Sequence, residues 1–359
     1  MSLNIKNNIL ITGGLGFIGS NFIYFLEKYY SNQFNLVLNL DLETYSANIK
    51  NLDNINLINL NNVHGNINDT QKVRQIFKNF SIDKIIHFAA ESHVDKSIVE
   101  PDVFMKTNIL GTYEFLKTCK NYFEKEKEKN NFKFIHVSTD EVFGSLDISD
   151  PPFKESNPYA PNSPYAASKA SSDLIVRSFI HTYDFPAIIT NCSNNYGPFQ
   201  YPEKLIPLVI HNCLNGNPIP VYGDGQQIRD WLYVEDHCEA LMKVINHGKV
   251  GQRYNIGGNQ EVKNIDLIKM ICQLLNELRP SNEGPYEDLI SFVKDRPGHD
   301  QRYAIDNTKI KNELGWSPSI SLAMGLKKTI EWYLSNDTWL RQVQQKEFED
   351  WTDLNYQNR

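Results

Sequence analysis

The chain holds 359 residues, 41% hydrophobic and 22% charged, with a formal net charge of -7. That balance gives a globular chain with a substantial core and excludes a disordered or fibrous one. A net acidic chain is not built to coat nucleic acid or an anionic membrane, although a local basic pocket for a small anion stays open.

The first residues, Met1-Ser2-Leu3-Asn4-Ile5, run straight into an apolar segment with no secretory pattern. No apolar run approaches the ~20 residues of a membrane-spanning helix. The expectation is a cytoplasmic protein with no membrane or nucleic-acid partner. Cys119, Cys192, Cys213, Cys238 and Cys272 stand singly, without metal-ligand spacing. They read as reduced thiols, and no metal is expected.

Asn8 to Thr12 reads as a buried strand and Phe17 to Tyr30 as the helix that follows. The turn between them is Gly13-Gly14-Leu15-Gly16-Phe17-Ile18-Gly19, with glycines at 13, 16 and 19. Such a turn lets backbone N–H groups approach a pyrophosphate at a helix N-terminus. Asn35 to Leu40 reads as the second strand and ends at Asp41, placed to accept hydrogen bonds from an adenosine ribose. A carboxylate there repels a 2′-phosphate, so NAD is expected rather than NADP.

Ile85 to Phe88 and Phe134 to Ser138 read as further strands, with helical patterns between. Strands alternating with helices predict right-handed crossovers and a parallel sheet covered on both faces. Asn121 to Asn131 reads as a charged, solvated helix end, and Ser281 to Tyr286 as a polar loop. Beyond Asn191, Pro and Gly punctuate the chain, as long functional loops would require. The expected division is a dinucleotide-binding domain over 1–190 that carries the catalytic residues. A smaller lobe follows over 191–335, with a possible return of the chain to the large domain, and then a tail over 336–359. The ligand cleft is expected between domain and lobe.

Two further patterns carry chemistry. Tyr165 and Lys169 stand at i and i+4, on one face of a helix. A free phenol is too weak a base at neutral pH, but an ammonium and a cationic nicotinamide would lower its pKa. Thr139-Asp140-Glu141 follows the strand that ends at Ser138. Loops beyond the C-terminal ends of parallel strands bind ligands in open sheets. Neighbouring carboxyls in unlike surroundings can divide acid and base roles.

The glycine turn with Tyr165 and Lys169 resembles the extended short-chain dehydrogenase/reductases. Ala89 to Ser97, Ser138 to Gly144, Asn194 to Pro198, Tyr201 to Pro207, Arg229 to His237 and Asp295 to Asp300 narrow the likeness. Together they resemble the dTDP-glucose 4,6-dehydratases, from about Asn8 to Leu334. The resemblance implies an α/β fold: a Rossmann-type doubly wound parallel sheet with a smaller C-terminal α/β substrate-binding lobe. It implies tightly bound NAD and a homodimer. It also implies dehydration of a nucleotide-diphosphate glucose by C4 oxidation, loss of water across C5 and C6, and hydride return to C6. Tyr165, with Lys169, would take the C4 hydroxyl proton and Thr139 would bond the C4 oxygen. Glu141 would take the C5 proton and Asp140 would protonate the leaving hydroxyl.

Gly13, Gly16, Phe17, Ile18, Gly19, Asp41, Thr44, Asn66, Ile67, Phe88, Ala89, Ala90, Ser92, Thr107 and Cys192 would meet the cofactor, with Tyr165 and Lys169. Ser92, Thr139, Asn195, Lys204, Leu205, Pro220, Tyr222, Arg229, Asn264, Arg296, His299 and Tyr303 would hold the substrate. Arg229 and Arg296 suit bidentate contacts to phosphate. The chain departs from the family at Leu42-Glu43, where Lys-Leu is common, and at Asn66, where Asp is usual. It also has Phe143 where Tyr is common. Modest effects on affinity are expected, with the chemistry kept. The same reaction on UDP-glucose remains open at this stage, as do a sugar 4-epimerase and a non-catalytic NAD-sensing protein.

Overall fold

The computed structural model describes residues 7–125 and 131–343. Met1 to Ile5, residues 126–130 of the charged stretch and residues 344–359 of the expected tail lie outside the described residues. The strands are β1 (Asn7–Thr12), β2 (Phe34–Asp41), β3 (Leu60–His64), β4 (Lys84–His87), β5 (Lys133–Thr139) and β6 (Ala187–Cys192), then β7 (Asn194–Tyr196), β8 (Ile219–Tyr222), β9 (Ile228–Tyr233), β10 (Arg253–Ile256), β11 (Glu261–Lys263) and β12 (Ile290–Val293). The helices are α1 (Phe17–Tyr30), α2 (Thr70–Asn79), α3 (Val94–Val99), α4 (Pro101–Phe104), α5 (Thr112–Lys125) and α6 (Pro164–Tyr183), then α7 (Leu205–Asn215), α8 (Val234–His247), α9 (Asn264–Leu278), α10 (Thr308–Leu314), α11 (Leu322–Ser335) and α12 (Asp337–Val343).

Seven strands form one parallel sheet in the order β3-β2-β1-β4-β5-β6-β10. The order reverses between β1 and β4, the switch point at which open sheets of this kind bind ligands. The central strands are apolar and buried on both faces, which suits a parallel sheet. Ile9 and Ile11 of β1 pack with Phe22 and Leu26 of α1 and Leu241 and Val244 of α8. Leu10 points to the other face and packs with Phe115, Leu116 and Val176 from α5 and α6. Each fully buried side chain of this size contributes about 1.5–3 kcal/mol. The edge strand β3 is largely polar, with Asn61 and Asn62 exposed.

The second half of the chain is more regular than its Pro and Gly suggest. It forms a three-stranded sheet, β11-β9-β7, and the two-stranded β12-β8. These pack with α7, α9, α11 and α12 around a separate core that includes Tyr196, Ile271, Leu326 and Trp339. β10 and α8 belong by sequence to this half but complete the large sheet and its cover.

Local chemistry fixes the elements that carry the site. Gly16 stands at the N-cap of α1, so no side chain caps that helix. Ser163 caps α6 by accepting from the Ala166 N–H at 3.1 Å, with Pro164 in the first turn. The 3-10 turn Asp140–Phe143 starts on Thr139, whose hydroxyl accepts from the Glu141 N–H at 3.3 Å.

Candidate active site

The glycine turn is shaped by what surrounds it. Gly13 has φ +76°, and a Cβ there would lie 2.7 Å from the Ala89 nitrogen. Its N–H donates to the Leu40 carbonyl at 3.0 Å. The Gly14 N–H donates to Asn39 Oδ1 at 3.0 Å, and the Leu15 N–H to Asp41 Oδ2 at 2.9 Å. A Cβ on Gly19 would strike the Gly13 carbonyl. The turn thus brings β1, β2 and the loop after β4 to the uncapped end of α1. Open N–H groups and the helix dipole there form an anion site.

From this turn a groove runs along the strand ends. Phe17, Ile18, Asp41, Thr44, Asn66, Ile67, Phe88, Ala89, Ala90, Ser92 and Thr107 line it together with Gly13, Gly16 and Gly19. Thr139, Asp140, Glu141, Tyr165, Lys169, Cys192, Asn195 and Lys204 line its far end. A second cavity opens beyond, lined by Glu141, Lys204, Leu205, Pro220, Tyr222, Arg229, Asn264, Arg296, His299 and Tyr303. Glu141 and Lys204 line both, so groove and cleft meet at the acid.

The residues meet there because three elements converge. Helix α6 presents Tyr165 and, one turn on, Lys169, whose ammonium donates to the Val137 carbonyl of β5 at 2.9 Å. Asn108 ties α6 to the loop after β4. Its side chain pairs with the Glu91 backbone through two bonds of 2.9 Å and donates to Ser168 Oγ at 2.9 Å. Beneath them, Asp173 lies 3.1 Å from His136 Nε2, accepts from the Tyr159 hydroxyl at 2.7 Å and accepts from Asn191 Nδ2 at 3.2 Å. The Asn191 amide also donates to the Thr139 carbonyl at 3.0 Å. The floor of the site is therefore a bonded network rather than a loose loop.

The charges are tuned by burial. Desolvation pushes the Asp140 carboxyl well above its usual range, and Glu141 and Asp230 add to the shift. Asp140 Oδ2 is buried without a partner. Glu141 is also raised by burial, but Arg296, Lys204 and Arg229 oppose the rise. Burial, reinforced by Glu141, holds the Tyr165 phenol well above the ordinary tyrosine value, while hydrogen bonding with Thr139 opposes this. Burial lowers Lys169. The sequence reading expected a lowered phenol beside an ammonium and a cationic ring. Burial and the two acids act in the opposite direction.

In the second cavity, Arg296 donates to Asp95 Oδ1 and Tyr222 to Asp95 Oδ2, each at 2.9 Å. Arg296 Nε is buried without a partner. The Arg229 guanidinium lies 4.3 Å from the centre of the Tyr303 ring. Arg229, Arg296 and Lys204 bring three cations to this cavity of an acidic chain, beside Asp95, Glu141 and Glu203, and so supply the local positive site left open by the net charge. Asp95, Glu91, Glu203, Gln200 and Tyr201 also line these spaces and were not singled out from the sequence. Glu203 had a signal, since it adjoins Lys204. Burial holds its carboxyl at about 7. Phe143, the departure beside Glu141, is buried and stacks on Phe153 at 5.3 Å, so it supports the loop from beneath.

Residues 10–329 match the family described as GDP-mannose 4,6 dehydratase. A dTDP-glucose 4,6-dehydratase of Salmonella typhimurium is 49% identical over 98% of this chain and 99% of its own length. The dTDP-glucose 4,6-dehydratase DesIV of Streptomyces venezuelae, solved with NAD bound, superimposes with TM-score 0.85 and 42% identity, covering 94% of this chain and all of DesIV. The Bacillus anthracis dTDP-glucose 4,6-dehydratase, also solved with NAD, gives TM-score 0.82 and 41% identity, with coverage of 94% and 100%.

Proposed function

The chain belongs to the dTDP-glucose 4,6-dehydratase family, and we propose that its joined groove and cleft convert dTDP-glucose to dTDP-4-keto-6-deoxyglucose with NAD as resident cofactor. The groove fits that dinucleotide. The uncapped end of α1 suits the pyrophosphate, and Asp41 at the end of β2 suits an unphosphorylated ribose. NAD, when bound, supplies hydride acceptance at C4 and hydride return at C6.

The chain's own residues move the protons. Tyr165 takes the C4 hydroxyl proton at its phenol oxygen, and the Thr139 hydroxyl bonds the C4 oxygen. Glu141 takes the proton from C5, made acidic by the C4 ketone. Asp140 gives its proton to the C6 hydroxyl, which leaves as water; Glu141 then returns its proton to C5, and the proton Tyr165 took replaces the one Asp140 gave. Arg229 and Arg296 bind the diphosphate, and Lys204 meets the sugar where groove and cleft join. The observation that carries this reading is the contrast between adjacent acids. Burial, Glu141 and Asp230 together outweigh the single opposing cation at Asp140, Arg229, and favour its protonated form, whereas Glu141 faces three cations and is the more readily ionised.

The test is incubation with dTDP-glucose and, side by side, UDP-glucose, with products identified by NMR. A 4-keto-6-deoxy product formed faster from dTDP-glucose is expected. A C4 epimer, or unchanged substrate, would overturn the reading.

We also infer a division of labour in the chain, with residues 1–190 holding the dinucleotide and the catalytic groups and 191–335 mainly the nucleotide sugar. A homodimer through α5, α6 and the turn before α5 is supported by the exposed apolar residues Leu110, Tyr113 and Leu174. Sedimentation in solution tests it. None of the helices among the described residues is long and apolar enough to cross a membrane. The five free, buried cysteines support a reducing, cytoplasmic setting.

A further inference from the structure

The segment after Ser335, expected to be a tail, is not idle. Helix α12 brings Trp339 against Asn51, behind the glycine turn, and against Phe199, next to the groove-lining Gln200 and Tyr201. Its indole N–H donates to Asn51 Oδ1 at 2.7 Å. The Asn51 amide donates to the Leu15 carbonyl at 2.9 Å, inside the glycine turn. It also reaches Ser20 Oγ at 3.3 Å, and that hydroxyl donates to the Gly16 carbonyl at 2.7 Å. Asn51 is 1% exposed and Trp339 9%, so neither bond is shared with bulk water. The Trp339 ring also meets Phe199 edge-on, at 6.1 Å between centroids. Phe199 has φ +65°, a conformation a bulky residue keeps only when its neighbours impose it. Its loop leads to Gln200, Tyr201 and Glu203 on the opposite wall. The Tyr201 hydroxyl donates to the Val343 carbonyl of α12 at 3.0 Å.

We propose that Trp339 is a positioning residue for the dinucleotide: through Asn51 it clasps the glycine turn and keeps the cofactor from leaving between turnovers. The proposal rests on the dinucleotide reading of the groove. A cofactor regenerated on the enzyme need never leave, and a clasp made by a helix remote in sequence slows release without touching the reacting atoms. Losing one buried hydrogen bond of this kind corresponds to roughly a tenfold change in a rate or equilibrium.

The experiment loads the full chain with radiolabelled NAD and follows its release into excess unlabelled NAD. Trp339→Phe keeps the ring against Phe199 and removes only the indole donor. Asn51→Ala removes both links without disturbing the aromatic cluster. Trp339→Phe is expected to release NAD about tenfold faster than the wild type, and Asn51→Ala, which loses more bonds, at least as fast. The double variant should be no faster than Asn51→Ala alone, because the ring acts through that amide. Release at the wild-type rate from Trp339→Phe would overturn the clasp. If that variant does not fold, wild-type release from Asn51→Ala overturns it instead. A wild-type protein that binds no NAD would overturn the dinucleotide reading and the clasp with it, whereas normal NAD retention in every variant overturns the clasp alone.

Discussion

Asp140 and Glu141 adjoin in the chain but part in their surroundings: Asp140 Oδ1 meets the Thr139 hydroxyl at 3.3 Å, while the Glu141 carboxyl lies in the field of Arg296, Lys204 and Arg229. The first is built to hold a proton and the second to take one. Glu141→Gln should therefore keep NAD and dTDP-glucose bound yet lose C5 proton exchange with solvent. Turnover should fall by ~10²–10⁴. Deuterium incorporation at C5, read by NMR, checks this, and normal exchange would remove Glu141 from its role.

Asp140 makes a prediction about stability with a definite sign. Its folded pKa is raised, so the folded protein holds the proton more tightly than the unfolded chain. That contribution is complete below the unfolded value near 3.8 and is lost as pH rises through the folded one. Asn does not titrate. Asp140→Asn should thus have a higher Tm than the wild type near pH 8, with the gap closing as pH falls toward 4. Thermal melts across pH measure it. A gap that widens on acidification would contradict the buried, protonated acid.

Tyr165 is the proposed base, and burial, reinforced by Glu141, raises its pKa. Tyr165→Phe keeps the ring, which packs edge-on to Phe104, and removes only the hydroxyl. Its NAD content should match the wild type while turnover drops by ~10²–10⁴. The wild-type rate should rise with pH on the acid side, and the residual rate of the variant should lose that dependence. A variant that keeps the same pH profile would place the titrating group elsewhere.

How far the sequence could be read depends on where each signal resides. Helix α1 spans Phe17–Tyr30, the limits set by the glycine turn before it and the apolar periodicity within it. The central strands lie within a residue or so of their apolar runs, because a strand buried on both faces must be apolar throughout. Strand β3 escaped because an edge strand needs no such run; Leu60-Asn61-Asn62-Val63-His64 is mostly polar. β10 has a strand-like pattern, but its place beside β6 is tertiary information. Tyr165 could be singled out by its i, i+4 spacing to Lys169, and Arg296 through the family likeness of Asp295 to Asp300. Asp95 and Trp339 could not, since each matters through partners some 200 to 290 positions away.

Gly13 tests the cradle directly. A methyl group there must occupy space 2.7 Å from the Ala89 nitrogen, and a residue with a side chain resists φ +76°. The strain is of order 1–3 kcal/mol. Relief requires the turn to move away from the loop after β4, widening the groove where the pyrophosphate is expected. Gly13→Ala should fold with a lowered Tm and purify with little bound NAD. Full occupancy by mass spectrometry would show that the turn does not hold the dinucleotide.

Arg296 and Asp95 join the lobe to α3 through a bond of 2.9 Å between largely buried side chains. Asp95 stays ionised because the guanidinium offsets its desolvation, with His93 and the Tyr222 hydroxyl adding to that support. Removing the cation therefore has two separable effects. Arg296→Ala should raise KM for dTDP-glucose by about 10–100-fold, the worth of a charge-assisted phosphate contact, and should also lower kcat because Glu141 loses the foremost of the cations that favour its ionised form. It should also lower Tm, because Asp95 is left as a buried carboxylate without its ion-pair partner. Adding Asp95→Asn removes that charge and should restore most of the lost Tm while leaving KM high. Recovery of both together would mean that Arg296 acts by holding the lobe in place; recovery of stability alone assigns it to the diphosphate.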